Sequence, residues 1–354
     1  MSSFITATGS YLPARVVSNE ELAEKLGLRP EQIFKSSGIR RRHWASPGEI
    51  TSALGCTALR NTNVSAEDID YLIFGTMTSD RFIPGSAPGV QAALNLREVP
   101  CLDIRQACCN TLYGLQLASA LVTSGLATNV AVCLAEVQSA FLRLSPQAGT
   151  TSMLFGDGAA ALIVSSQGEA GALEIVDVHL ATDGKYVDDL GIRAPGSEFN
   201  GREEPQDFEP RMNGQSVILQ ASRRMVAACQ RVLERNSITI DDVSWVVPHQ
   251  ANANLLAQVA RGLRLQDASK VVSVIENTGN TSSASMGIAL DALNRSGNLE
   301  SGQYVLMPAF AAGFTWGAAL CRMSDMRLSC RDATKRAPII KRTSDLRVRL
   351  VASS

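Results

Sequence analysis

Pro100-Cys101-Leu102-Asp103-Ile104-Arg105-Gln106-Ala107-Cys108-Cys109-Asn110-Thr111-Leu112 is the stretch on which the reading of this chain turns. Its first five residues make a run of strand length, and over residues 108–124 Leu112, Leu115, Leu117, Ala118 and Leu121 recur at helical spacing. Cys108 therefore falls at a strand-to-helix junction, near the positive end of a helix dipole. A cysteine becomes nucleophilic when something stabilises its thiolate, and a helix N-terminus or a neighbouring imidazolium does so. Free cysteines in apolar company are more often core packing, so Cys108 alone proves nothing. Cys109 beside it reads as an inert neighbour.

Outward from this junction the same alternation repeats. Residues 71–76 read as a buried strand, 86–94 as a small-residue helix, 130–134 as a strand, and 159–164 as another after the turn Gly156-Asp157-Gly158. Residues 183–210, rich in Gly, Pro, Asp and Glu, read as surface loops. The logic then recurs: a helix over 217–236, a strand over 243–248 ending at His249, a helix over 252–263, an extended segment over 270–274, a helix over 282–295, and closing strands over 304–310 and 315–323. Strands alternating with helices imply an α/β fold with parallel strands. The expected division is a first half over 1–170 carrying the cysteine, a second over 171–325 carrying His249 and Asn280, and a basic tail over 326–354.

The 354 residues are 45% hydrophobic and 19% charged, an ordinary globular composition. The formal charge of −1 conceals a net +6 in residues 326–354, which leaves −7 on the rest. No nucleic-acid motif accompanies that basic tail, so nucleic-acid binding is not expected. Eight cysteines scattered through apolar stretches, without a CxxC pair, fit a reducing cytoplasm better than a disulfide framework. With only His43, His179 and His249 as histidines, no metal site is expected. Neither a signal peptide nor a membrane span is expected.

His249 and Asn280 complete the chemical picture. His249 stands at the carboxyl end of a strand, where open α/β sheets bind ligands. Asn280, between Gly279 and Thr281, lies in a turn, where asparagine often bonds only its own backbone. A thiol, an imidazole and a carboxamide at strand ends of two similar halves are together the equipment of acyl transfer through a thioester.

The chain resembles the type III β-ketoacyl-acyl-carrier-protein synthases of the thiolase-like superfamily from about residue 4 to residue 323. The resemblance is carried by Thr8-Gly9-Ser10-Tyr11-Leu12-Pro13, Ser37-Gly38-Ile39-Arg40, residues 103–108, Phe155-Gly156-Asp157-Gly158-Ala159-Ala160-Ala161, His249-Gln250-Ala251-Asn252, Gly279-Asn280-Thr281-Ser282 and Gly313-Phe314-Thr315-Trp316-Gly317. Leu102-Asp103-Ile104-Arg105 with Leu112-Tyr113-Gly114-Leu115-Gln116 is similar to the alkylquinolone-pathway branch. The resemblance implies a five-layered αβαβα thiolase-like fold of two pseudo-equivalent halves and a homodimer. It also implies catalysis without a metal or redox cofactor, on acyl and malonyl thioesters of acyl carrier protein or coenzyme A.

By the same resemblance, Cys108 takes the acyl group and the backbone N–H groups of Cys108 and Ala312 receive the oxyanion. His249 and Asn280 hydrogen-bond the malonyl thioester carbonyl as carbon dioxide leaves. Ile83, Asn252 and Phe314 are implied substrate contacts, and Arg261 and Arg264 an implied docking face for an acidic carrier. Gln32 and Ser36 stand where the family commonly has a tryptophan and an arginine for coenzyme A, and Ala148 and Asn254 where it has two more arginines. Ile83 replaces a phenylalanine that closes the acyl pocket across the dimer. Ala311, Ala312 and Asn110 replace glycines near the thiol. These departures imply a donor other than acetyl-coenzyme A and a larger acyl group. Two other readings stay open: an acyltransferase delivering the group to an oxygen or nitrogen, and a non-catalytic partner subunit of a heterodimeric synthase.

Overall fold

The computed structural model describes residues 2–324 and 349–350. Nine strands form one sheet: β1 (Phe4–Tyr11), β2 (Tyr71–Gly75), β3 (Cys101–Ile104), β4 (Asn129–Glu136), β5 (Gly158–Ser165), β6 (Leu173–Thr182), β7 (Val243–Val246), β8 (Tyr304–Ala311) and β9 (Thr315–Met323). Their spatial order is β7-β8-β9-β6-β1-β5-β4-β2-β3. An isolated parallel bridge from Val246 to Val271 adds a further position outside β7. Each half then shows one order twice over: third, second, fourth, fifth, first. The halves join where β1 meets β6, at Phe4 with Glu174 and Ile5 with Leu173.

The side-chain alternation of the strands divides the interior into three cores. On β4, Val130, Val132 and Leu134 face a central core while Ala131, Cys133 and Ala135 face an outer one. The central core is filled by α3 (Asn110–Thr123) and α6 (Ser285–Ser296), which lie between the inner faces of both halves. Outside the first half pack α1 (Thr51–Arg60) and α2 (Ala87–Ala93); outside the second pack α4 (Gly214–Arg235) and α5 (Ala253–Gly262). Helix, sheet, helix, sheet, helix is the five-layered arrangement expected. Small residues make the central layer close: a Cβ on Gly287 of α6 would lie 2.5 Å from Ala160 Cβ on β5.

One expectation needs correcting. The strands are not uniformly parallel, because only β2 with β3, β2 with β4, and β7 with β8 run parallel. The middle of the sheet, from β8 through β9, β6, β1 and β5 to β4, pairs antiparallel. A short hairpin joins β8 to β9, and β5 follows β4 without a long covering helix, so crossovers between parallel strands are confined to the outer strands. β1 and β6 were not read from the sequence at all, since Thr, Ser, Asp and His interrupt their apolar pattern.

No helix among the described residues is long and apolar enough to cross a membrane. The seven cysteines described are all free. Most of the basic tail lies outside the described residues; Arg349 and Leu350 pair by backbone with Ser273 and Val272.

Candidate active site

Cys108 lies in a single 3-10 turn, Ala107–Cys109, that runs directly into α3. Ala107 holds φ +47, a left-handed conformation that bends the chain sharply from β3 and sets the thiol at the helix N-terminus. Asn110 braces the turn by accepting the Gln106 N–H on Oδ1 at 2.7 Å. Cys109 points the other way, fully buried, with Sγ 3.5 Å from the Thr315 carbonyl. Burial keeps its thiol well above the ordinary range, which suits an inert packing residue.

The second half builds the matching turn. Ser282 also holds φ +47, and like Ala107 it stands three residues ahead of its helix, α6. This turn carries Asn280, whose N–H donates to the Leu154 carbonyl at 2.8 Å and whose own carbonyl accepts from Gly156 N at 3.0 Å. Gly156 has to be glycine here, because a Cβ would lie 2.3 Å from the Thr278 carbonyl. The Asn280 side chain accepts from Ser282 N–H on Oδ1 at 2.9 Å. With its oxygen tied down, the carboxamide keeps Nδ2 as a donor pair with no partner among the described residues.

His249 follows β7, with its N–H on the Pro308 carbonyl at 2.9 Å. Gln250, fully buried, props the bend by donating to the Pro248 and Val272 carbonyls and accepting from Val274 N–H. The His249 ring is 2% exposed, and Nδ1 lies 2.6 Å from Ser285 Oγ. Ser285 Oγ also accepts from Gln250 N–H at 3.3 Å; when its own proton goes to Nδ1, the ring proton sits on Nε2. Burial holds this imidazole down to about 4, so it is neutral at physiological pH. A neutral imidazole leaves the helix N-terminus as the thiolate stabiliser, of the two weighed from the sequence, that the resting site offers.

The segment from Asn280 to Ser285 reaches every part of the site. Ser282 Oγ lies 3.5 Å from Cys108 Sγ, Ser285 holds His249, and Ser283 Oγ donates to Glu136 Oε1 at 2.7 Å. The Ser283 carbonyl accepts from Thr111 Oγ1, on the helix Cys108 begins, at 3.0 Å. Glu136, fully buried, also receives the Thr76 and Thr78 hydroxyls and Met77 N–H. Burial raises its carboxyl above the ordinary range, against these donors. Burial likewise pushes Cys108 up to about 11, so at rest it is a thiol.

The other residues singled out from the sequence scatter. Ala312 packs against the same central core as Cys108. Asn252 caps α5 and donates to the Ser36 carbonyl at 3.0 Å. Phe314 is fully buried in the outer core, stacked 5.0 Å from Tyr186 and tilted on Phe310, and offers no surface to a substrate. Ile83 is 78% exposed on a loop and meets nothing of the site within this chain. Arg261 and Arg264 are exposed at the end of α5. Sequence reasoning passed over Ser282, Ser285 and Glu136: two serines in a run that looks like helix capping, and one carboxylate closing an apolar strand.

Two abutting turns, one running from β3 into α3 with a half-buried thiol and the other leading into α6 with a carboxamide, together with a neutral imidazole held by Ser285 of α6, on a doubled five-layer fold, define a thiolase-like condensing-enzyme architecture. Residues 102–184 match the family model described as 3-oxoacyl-[acyl-carrier-protein (ACP)] synthase III, and residues 233–323 the model of its C-terminal part. The chain is 37% identical over 325 residues to the β-ketoacyl-[acyl-carrier-protein] synthase III of Chlamydia caviae, covering 90% of this chain and 96% of that protein. Among solved structures, 3-oxoacyl-[acyl-carrier-protein] synthase III from Aquifex aeolicus VF5 superposes with a TM-score of 0.82 at 33% identity, over 91% of this chain and all of that one. The priming β-ketosynthase of the R1128 polyketide biosynthetic pathway gives 0.82 at 30%, over 91% of this chain and 96% of that one. The chain belongs to the β-ketoacyl-acyl-carrier-protein synthase III family.

Proposed function

We propose that the chain is a type III ketosynthase of a specialised pathway that condenses a Cys108-bound acyl group with a malonyl thioester. The Cys108 sulfur attacks an acyl thioester, and the carrier thiol leaves with the proton the cysteine gives up. The oxyanion is received by the N–H groups of Cys108 and Ala312. The malonyl thioester carbonyl then lies between His249 Nε2–H and Asn280 Nδ2. Carbon dioxide departs, the enolate carbon bonds the acyl carbon, the bond from that carbon to Cys108 sulfur breaks, and the released thiolate takes a proton from solvent to restore the thiol. Two neutral donors suit an enolate that carries charge only as the reaction proceeds. The single observation behind this reading is that Asn280 and His249 are both held, by Ser282 N–H and Ser285 Oγ, with donors left for a ligand.

The donor is proposed to be an acyl group on a carrier protein rather than acetyl-coenzyme A. Gln32 Oε1 accepts Arg29 N–H at 2.9 Å, Ser36 Oγ donates to the Gln32 carbonyl at 2.7 Å, and Asn252 and Asn254 both donate to the Ser36 carbonyl. These groups are occupied with backbone and none is cationic, a poor reception for a nucleotide polyphosphate. Arg261 and Arg264 would meet the acidic carrier. The protein would work in the cytoplasm as a homodimer, with exposed Ile83 reaching the second copy. Acyl groups presented on coenzyme A and on carrier protein, each with labelled malonyl carrier protein, test this reading. Carbon dioxide release with a β-ketoacyl product from the carrier donor supports it; transfer to an alcohol or amine without carbon dioxide points to a simple acyltransferase.

A further inference from the structure

The nucleophile has a neighbouring hydroxyl that the condensation chemistry above leaves unused. Among the described residues, Ser282 Oγ has one hydrogen-bond partner, Cys108 Sγ at 3.5 Å. Ser282 is 3% exposed, so no bulk water competes for that hydroxyl. Its backbone holds φ +47, a conformation that glycine adopts freely and a serine does not. Ala107, in the equivalent position of the other half, shares that φ without a hydroxyl. The same Ser282 sends its N–H to Asn280 Oδ1 at 2.9 Å.

We infer that Ser282 is a positioning residue joining the two stages of the reaction: its hydroxyl holds and donates to the Cys108 sulfur, while its N–H turns the Asn280 carboxamide toward the malonyl carbonyl. The inference deepens the ketosynthase reading and rests on it. Either atom can donate while Cys108 is a thiol. Once the proton leaves, sulfur can only accept, and Ser282 Oγ–H becomes the donor of a charge-assisted bond in a buried setting. That bond pulls the thiol down against the burial that raises it. A strained serine, where glycine would fit with less strain, is the kind of feature that persists at a working site.

Ser282→Gly isolates the hydroxyl, because it relieves the backbone and keeps the N–H to Asn280. Ser282→Ala removes the hydroxyl while keeping the strained backbone. Alkylation of Cys108 by iodoacetamide, read from the mass of its peptide across a range of pH, reports the ionisation directly. Both variants are expected to react about tenfold more slowly at fixed pH below the thiol's titration, with the profile displaced upward by about one unit. KM for the malonyl thioester is expected to stay within about twofold in Ser282→Gly, since the carboxamide keeps its anchor. A glycine-variant profile that overlays the wild type overturns the inference while leaving acyl loading of wild-type Cys108 intact. If wild-type Cys108 takes up no acyl group, the ketosynthase reading falls, and the inference with it.

Discussion

Replacing Ser285 with alanine removes the side-chain contact that holds the His249 ring among the described residues. The bond from Ser285 Oγ to Nδ1 is 2.6 Å, and the same oxygen accepts Gln250 N–H at 3.3 Å. His249 is 2% exposed and Gln250 fully buried, so water cannot freely replace the lost hydroxyl. Each buried group left unpaired costs roughly 1–3 kcal/mol, with the longer bond at the lower end, so the loss of unfolding free energy is expected near 3 kcal/mol. The imidazole also loses the anchor at Nδ1 that holds the ring in place, so its other nitrogen is no longer aimed at the substrate carbonyl. A loss of about 1.4–2.8 kcal/mol in the transition state corresponds to a fall in kcat of roughly ten- to a hundredfold. Steady-state carbon dioxide release from malonyl carrier protein measures the rate, and urea unfolding measures stability. Ser285→Thr, which keeps the hydroxyl, should recover most of the rate. A Ser285→Ala variant within twofold of wild type in kcat would refute the positioning argument.

Asn280→Asp keeps an oxygen for Ser282 N–H but places a carboxylate where the enolate forms; condensation is expected to fall at least about a hundredfold while Cys108 still loads acyl groups, as intact mass will show. His249 is held at about 4 against an ordinary value near 6.5, so between those values the unfolded chain binds a proton that the folded one does not. Stability should therefore fall as pH drops through that window, by up to roughly 3 kcal/mol at its lower end, and His249→Asn should flatten the acid limb of an unfolding profile. Reversing the charge of Arg261 and Arg264 together is expected to raise KM for malonyl carrier protein about tenfold with kcat little changed, and more so at low salt.

Much of this was legible in the sequence because the pattern and the chemistry coincide. The run 100–104 followed by helical spacing from Cys108 placed that cysteine at a strand-to-helix junction, and β3, the Ala107–Cys109 turn and α3 bear that out. His249 and Asn280 were legible for the same reason, as polar residues at the ends of apolar strands or in a glycine turn. The antiparallel centre of the sheet was not legible, because strand direction is set by pairing between β1, β5, β6 and β9, segments more than a hundred residues apart in places. The supporting groups escaped notice because serine is common at helix starts. Only the packing shows that Ser282, Ser283 and Ser285 turn to three different partners.

Intact-protein mass spectrometry after exposure to acyl donors tests the central claim most directly. The account predicts one acyl adduct per chain, mapped to the peptide bearing Cys108, absent in Cys108→Ala and discharged with carbon dioxide release when malonyl carrier protein is added. No adduct from any donor, or an adduct on a different cysteine, would contradict it.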